Sequence, residues 1–171
     1  MNRAVFFDRD GTLMEEVGYC GDPAKVRVLE GATEAVRRLR DAGYRIVLVT
    51  NQSGIGRGYF STADFEAVQQ EFFRQLGESL DGIYYCPDAP DAMPSRRKPA
   101  ADMLIEAARD LDLDLAQCVM VGDREGDVQA GRNAGCRSIL VLTGNCKHDA
   151  SADYIAANLA DTVAWILEKN R

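Results

Sequence analysis

The stretch Ala4-Val5-Phe6-Phe7-Asp8-Arg9-Asp10-Gly11-Thr12 runs four apolar residues straight into two carboxylates and a turn. An apolar run of that length, bounded by a turn signal, reads as a strand buried on both faces. Such strands belong to parallel sheets crossed by helices, and the chain downstream supplies the alternation. Ala32 to Ala42 predicts a helix with Ala32, Ala35, Val36 and Leu39 on one face and Gly43 as its stop. Ile46-Val47-Leu48-Val49 predicts the second strand. Ser61, with Asp64 three residues on, reads as the N-cap of a helix whose stripe is Phe65, Val68, Phe72 and Leu76.

Ile83-Tyr84-Tyr85 predicts a third strand, and the segment from Pro87 to Pro99 carries four prolines without periodicity, so it reads as a loop. Pro99 suits the first turn of a helix running to about Leu111, with Leu104, Ala107, Ala108 and Leu111 inward. Cys118 to Val121 and Ser138 to Leu142 predict two more strands, joined by a small-residue helix from Asp127 to Ala134. A last helix near Asp161 to Lys169 packs Trp165 and Ile166. The expected class is α/β, a doubly wound parallel sheet, with residues 1–171 as one domain.

Composition narrows the partners. A formal net charge of −7 speaks against nucleic acid, whose backbone needs clustered Lys and Arg. It leaves room for a small phosphorylated ligand, which needs only a local pocket of donors. No apolar run approaches the ~20 residues of a membrane span, and the acidic residues reached by Asp8 do not suit a signal peptide. A cytoplasmic monomer without membrane contact is the expectation. The five cysteines form no C-x-x-C pair and read as reduced thiols, Cys118 and Cys136 as small hydrophobes.

Ligands of such sheets bind at the carboxyl ends of the strands, where four polar clusters stand: Asp8/Asp10, Thr50/Asn51, Lys98 and Asp123/Asp127. Asp8 ends a buried strand, an expensive place for an unpaired carboxylate. A divalent cation offsets that cost, and Asp8, Asp10 and Asp123 supply hard oxygens suited to Mg²⁺. A carboxylate held beside a metal-tethered phosphate can attack phosphorus. Asp10 is then placed to protonate the leaving oxygen and afterwards to deprotonate water. Fixed donors for the phosphoryl charge are the Thr50 hydroxyl and the Lys98 ammonium.

Asp8-Arg9-Asp10-Gly11-Thr12, Thr50-Asn51, Lys98-Pro99 and Gly122-Asp123-Arg124-Glu125-Gly126-Asp127 together resemble the four motifs of the haloacid dehalogenase-like phosphatases, in order. The resemblance covers essentially the whole chain. It implies a three-layer Rossmann-like core, Asp8 as nucleophile, Asp10 as acid/base, and Mg²⁺ on Asp8, the Asp10 backbone carbonyl and Asp123. It further implies that Thr50 and Lys98 stabilise the phosphoryl group while Asp127 supports the site from behind. Members often carry an inserted cap domain. Here the predicted helices and strands use up both gaps between motifs, so a capless core with an open site is expected.

Glu16-Val17-Gly18-Tyr19, Thr50 to Gly58, Gly82 to Pro87 and Arg97-Lys98-Pro99 are similar to the D-glycero-D-manno-heptose 1,7-bisphosphate 7-phosphatases, relatives of the histidinol-phosphate phosphatases. That resemblance implies a small sugar phosphate as substrate. Its contacts would be Glu16, Val17, Gly18, Tyr19, Asn51, Gln52, Ser53, Arg97 and Arg124, an arginine binding the second phosphate bidentately. Many members of that branch hold zinc in the loop after Cys-Pro. Here Cys86 is present, but Asp88 stands where a histidine is expected and Met93-Pro94-Ser95 replaces a C-x-C pair. One thiol does not make a structural zinc site, so no zinc is expected. Histidinol phosphate or another small ester is the nearest alternative. A receiver-like signalling module, which also carries a phosphorylatable aspartate, is the alternative from another class.

Overall fold

The computed structural model describes residues 1–169. Six parallel strands form one sheet in the order β3-β2-β1-β4-β5-β6. They are β1 (Ala4–Phe7), β2 (Arg45–Asn51), β3 (Gly82–Cys86), β4 (Val119–Gly122), β5 (Arg137–Val141) and β6 (Tyr154–Ala156). The helices are α1 (Ala32–Asp41), a single turn α2 (Ser53–Gly56), α3 (Thr62–Leu76), α4 (Asp102–Asp110), α5 (Glu125–Ala134) and α6 (Leu159–Lys169). The sheet grows from β1 to β2 and β3 on one side and from β4 to β6 on the other, so strand order reverses between β1 and β4. That reversal opens the crevice at the carboxyl ends where open α/β sheets bind ligands.

Strand alternation sorts the core into two layers. Val5, Phe7, Ile46, Leu48, Val119 and Val121 face one way and pack with Leu39 of α1, Val68 and Phe72 of α3 and Ile166 of α6. Ala4, Phe6, Val47, Val49 and Met120 face the other and meet Leu104 and Ala107 of α4 and Ala130 of α5. Cys118 and Cys136 lie in that second layer, and burial pushes their thiols up to about 11 and about 12.

The predicted strands and long helices all form, several with bounds shifted by one or two residues, as where α5 starts at Glu125 rather than Asp127, and three differences go further. α4 begins at Asp102 rather than at Pro99, because Arg97 to Ala100 closes a separate turn through Ala100 N–H and the Arg97 carbonyl, 2.9 Å. β6, three residues long, and the single-turn α2 are too short for hydrophobic periodicity to mark them. Among the described residues no inserted fold separates the turn at Thr12 from β2, or β2 from Lys98 beyond α2, α3 and β3.

α3 starts with a full capping box. The Ser61 hydroxyl accepts from Asp64 N–H at 3.1 Å, and the Asp64 carboxylate accepts from Ser61 N–H at 2.8 Å. Ser61→Ala is expected to lower unfolding stability by about 1 kcal/mol without changing the fold, read from urea denaturation followed by circular dichroism.

Candidate active site

The peptide after β1 turns sharply. Arg9 carbonyl accepts from Leu13 and Met14 N–H at 3.0 and 3.1 Å, and Gly11 takes φ +83°. A Cβ at Gly11 would also collide with the Asp123 carboxylate, and so would one at Gly144 from the loop after β5. Two glycines therefore wall Asp123 in, and only glycine allows that approach. Asn145 N–H donates to Asp123 Oδ2 at 3.1 Å, while Oδ1 is buried with no hydrogen-bond partner.

Lys98 is the cation in direct contact with the acidic cluster and is almost fully buried. Its Nζ donates to Asp8 Oδ1 at 3.0 Å, Asp127 Oδ1 at 2.6 Å and the Val49 carbonyl at 2.7 Å. Those three acceptors use all three ammonium protons. Its backbone is pinned as well: Lys98 N–H donates to Asn51 Oδ1 and Asn51 Nδ2 donates to the Lys98 carbonyl, each 3.0 Å. Both polar ends of Asn51 are thus spent on placing Lys98.

Asp8, Asp123 and Asp127 bring ligand oxygens within 4.8 Å of one another against this single ammonium. Burial, only partly opposed by Lys98, raises the Asp8 carboxyl above its usual range. Burial first, then the charges of Asp8 and Asp127, pushes Asp123 up to about 7. Arg124, half-exposed and shared with Glu16, brings Nε only to 4.0 Å from Asp123 Oδ2, so the three carboxylates carry more negative charge than Lys98 and Arg124 offset, a setting that suits a further cation. The two Asp127 oxygens already serve Lys98 and the Arg124 N–H at 3.1 Å, which leaves Asp8 and Asp123 to hold it.

The Asp10 carboxylate does not join that cluster. It accepts from Arg9 Nε at 3.2 Å and from Gln52 Nε2 at 2.9 Å, and Gln52 Nε2 also reaches Thr50 Oγ1 at 2.9 Å. Thr50 is fully buried, and its hydroxyl oxygen takes the Gln52 amide while its own proton stays uncommitted. Arg9, Gln69 and Gln52 in this support role were not visible as such in the sequence. Arg9 stands between two aspartates with no local sign of what its guanidinium meets, and Gln69 lies 60 positions from its partner.

Around these groups lies a cleft of roughly 410 Å³ that Asp8, Asp10, Lys98, Arg97, Arg124 and Tyr19 help to line. Glu16 accepts from Gly18 N–H at 2.8 Å and from Arg124 Nη2 at 2.9 Å, joining two of the rim segments. Gly18, Gln52 and Ser53 also reach the cleft; Val17 is exposed outside its wall. Tyr19 stacks edge-on against Tyr59 at 4.8 Å, with Arg57 over its ring. In the loop before Lys98, the Ser95 hydroxyl donates to Asp88 at 2.8 Å and accepts from Arg97 N–H at 3.1 Å; the Cys86 thiol points at the same carboxylate. Arg97 Nη1 is buried beside the cleft without a hydrogen-bond partner.

A haloacid dehalogenase-like hydrolase family model matches residues 5–72, and a HAD-hydrolase-like model matches 95–165. A D-glycero-D-manno-heptose-1,7-bisphosphate 7-phosphatase of Thermosynechococcus vestitus is 42% identical over 95% of this chain and 94% of its own length. A D-glycero-beta-D-manno-heptose-1,7-bisphosphate 7-phosphatase of Haemophilus ducreyi is 40% identical over 96% of this chain and 98% of its own. The crystal structure of D,D-heptose 1,7-bisphosphate phosphatase from B. bronchiseptica, complexed with magnesium and phosphate, superposes with a TM-score of 0.88 at 34% identity, covering 99% of both chains.

Replacing Lys98 by Met removes the charge and leaves the buried carboxylates uncompensated. At pH 8 without divalent cations the loss of stability is expected at about 3–5 kcal/mol. Carboxyls with raised folded pKa values cost stability progressively as pH climbs from their unfolded value to the folded one, and removing Lys98 raises them further, so the loss should shrink toward pH 5. Urea denaturation of both proteins at the two pH values checks this, and a loss independent of pH would contradict it.

Proposed function

This chain belongs to the haloacid dehalogenase-like hydrolases, and on that footing we propose that it removes the 7-phosphate of D-glycero-D-manno-heptose 1,7-bisphosphate with Mg²⁺, a step toward the heptose of lipopolysaccharide core. The enzyme is a phosphoric monoester hydrolase. The observation that carries the reading is Asp8 at the β1 terminus, held by Lys98 and followed two residues on by a second carboxyl, Asp10, that stays outside the acidic cluster.

The Asp8 carboxylate attacks phosphorus, and the bond from phosphorus to the C7 oxygen breaks. Asp10 gives its proton to that departing oxygen, so the sugar leaves as an alcohol. Water then attacks the aspartyl phosphate, its proton passing to Asp10, and the bond to Asp8 breaks, releasing inorganic phosphate and restoring both carboxyl groups. The Lys98 ammonium lies within reach of charge gathering on the phosphoryl oxygens. Thr50 Oγ1, which accepts from Gln52, keeps its own proton for the same purpose.

The residues present suit Mg²⁺: hard carboxylate oxygens from Asp8 and Asp123, with Asp123 Oδ1 buried and unpartnered; the family resemblance adds the Asp10 backbone carbonyl. When bound, the ion supplies positive charge that screens nucleophile from phosphate and offsets charge on the transferring oxygens. A proton on Asp123 and the cation compete for one carboxylate. Asp123 is raised to about 7 in the folded chain, so its burial cost is absent well below that pH and complete above it. The rise in Tm on adding Mg²⁺ should therefore grow from pH 5.5 to about 7.5 and then level off. A Tm gain that is flat across this range would sink the assignment of Asp123 as ligand.

For substrate choice we assign the second phosphate to Arg97 and Arg124, with Glu16, Gly18, Tyr19 and Gln52-Ser53 around the sugar. Arg97 Nη1, buried and unpartnered at the cleft wall, has a donor waiting for an anion. Arg97→Ala is expected to raise KM for the bisphosphate by ~10–100-fold, the worth of a hydrogen bond to a charged group. Hydrolysis of p-nitrophenyl phosphate, which has no second phosphate, should change little. Higher kcat/KM of the unmodified enzyme for histidinol phosphate than for the heptose bisphosphate would end the heptose assignment. We take residues 1–171 to act as one capless domain, monomeric and cytoplasmic; no described helix is long and apolar enough to cross a membrane.

A further inference from the structure

Arg9 has a side chain with no exposed surface, an unusual position for a guanidinium. Its fork divides between two partners. Nε and Nη2 face the Asp10 carboxylate at 3.2 and 3.4 Å, while Nη1 donates to Gln69 Oε1 at 2.7 Å. Gln69 lies on α3 one helical turn after Phe65, whose ring lies under the Arg9 guanidinium at 5.4 Å. Gln69 is itself buried and is not part of the cleft wall.

We propose that Gln69 and Phe65 of α3, acting through Arg9, are positioning residues for Asp10 that hold its carboxyl in line for proton transfer. The inference rests on Asp10 being the acid/base. A guanidinium is planar with donors in fixed directions, so fixing one edge fixes the other. Gln69 and the Phe65 ring set the plane of Arg9. The opposite edge then dictates where the Asp10 oxygens lie, with Gln52 Nε2 as the third donor from the cleft side. Without that fork, Asp10 keeps only the Gln52 contact and is free to turn about its side-chain torsions. A proton donor displaced by about 1 Å loses ~100-fold in rate, so a helix that never touches substrate can govern the chemical step.

A merely structural Arg9 would tie α3 to the β1 turn and affect every step alike. The two roles separate with leaving groups of different need. An alkyl phosphate such as the heptose bisphosphate requires a proton on its departing oxygen, whereas p-nitrophenolate departs without one. Arg9→Ala risks misfolding, so the test is Gln69→Leu, with Gln69→Glu as the conservative variant that restores the acceptor. Single-turnover release is followed with Mg²⁺-loaded enzyme in excess over each ester. Gln69→Leu is expected to slow cleavage of the alkyl ester about 10–100-fold while p-nitrophenolate release stays within about threefold of the unmodified enzyme. Gln69→Glu is expected to recover most of the alkyl-ester rate. A parallel loss on both esters, or no loss on either, overturns the proposal. Asp10→Asn serves as the reference: if it fails to separate the two esters, Asp10 is not the acid and the inference falls with it. If Asp10→Asn separates them and Gln69→Leu does not, the positioning role alone is wrong.

Discussion

A single ammonium, the Nζ of Lys98, stands between two buried carboxylates at the edge where the sheet reverses its order. Removing charges from water is costly, and an ion pair repays that cost only with good geometry and every proton and lone pair occupied. Here the third ammonium proton goes to the Val49 carbonyl at the end of β2, and Asn51 holds the Lys98 backbone from the same strand. Three segments of chain are thereby brought to one point: the end of β1 through Asp8, the end of β2 through Val49, and the start of α5 through Asp127.

The same pairing leaves the cluster short of positive charge, and that shortage is a property of the site rather than a flaw in it. Asp123, pressed between Gly11 and Gly144, keeps one oxygen without a partner, and its carboxyl is pushed up to about 7. Groups perturbed by burial and by a specific charged neighbour cluster at functional sites. Asp10 escapes the shortage by a different route. Its oxygens turn from the cluster to Arg9 and Gln52, so two carboxyls only two positions apart in the chain sit in different electrostatic surroundings. Such a separation allows one to serve as nucleophile and the other as proton carrier.

The loop from Cys86 to Lys98 shows how a polar cluster can hold a backbone without several thiolates. Asp88 gathers the Cys86 thiol and the Ser95 hydroxyl, and Ser95 in turn accepts the Arg97 N–H. Arg97 reaches the cleft from a backbone tethered two residues away. On the proposed assignment, specificity lies on loops and the chemistry at the sheet edge, a division that lets one sheet carry different substrates.

Much of this was legible in the residues themselves. Apolar runs such as Ala4 to Phe7 and Ile46 to Val49 specify strands, and the Ser61/Asp64 box specifies where α3 begins, because those signals act over a few residues. The acidic and basic residues at the strand ends could be named for the same reason. The donors that each carboxylate meets could not. Lys98 lies 90 positions from Asp8 and 29 from Asp127, and Arg9 lies 60 from Gln69. The short β6, the late start of α4 and the Glu16–Arg124 tie across the rim depend likewise on neighbours remote in the chain. By itself the sequence determined the strands, the helices and the chemical groups at the sheet edge, since these follow from local periodicity and residue type. Only the tertiary structure decided that Asp8 would share a lysine with Asp127 while Asp10 was handed to Arg9, because burial gives each charge a partner according to where the folded chain brings one.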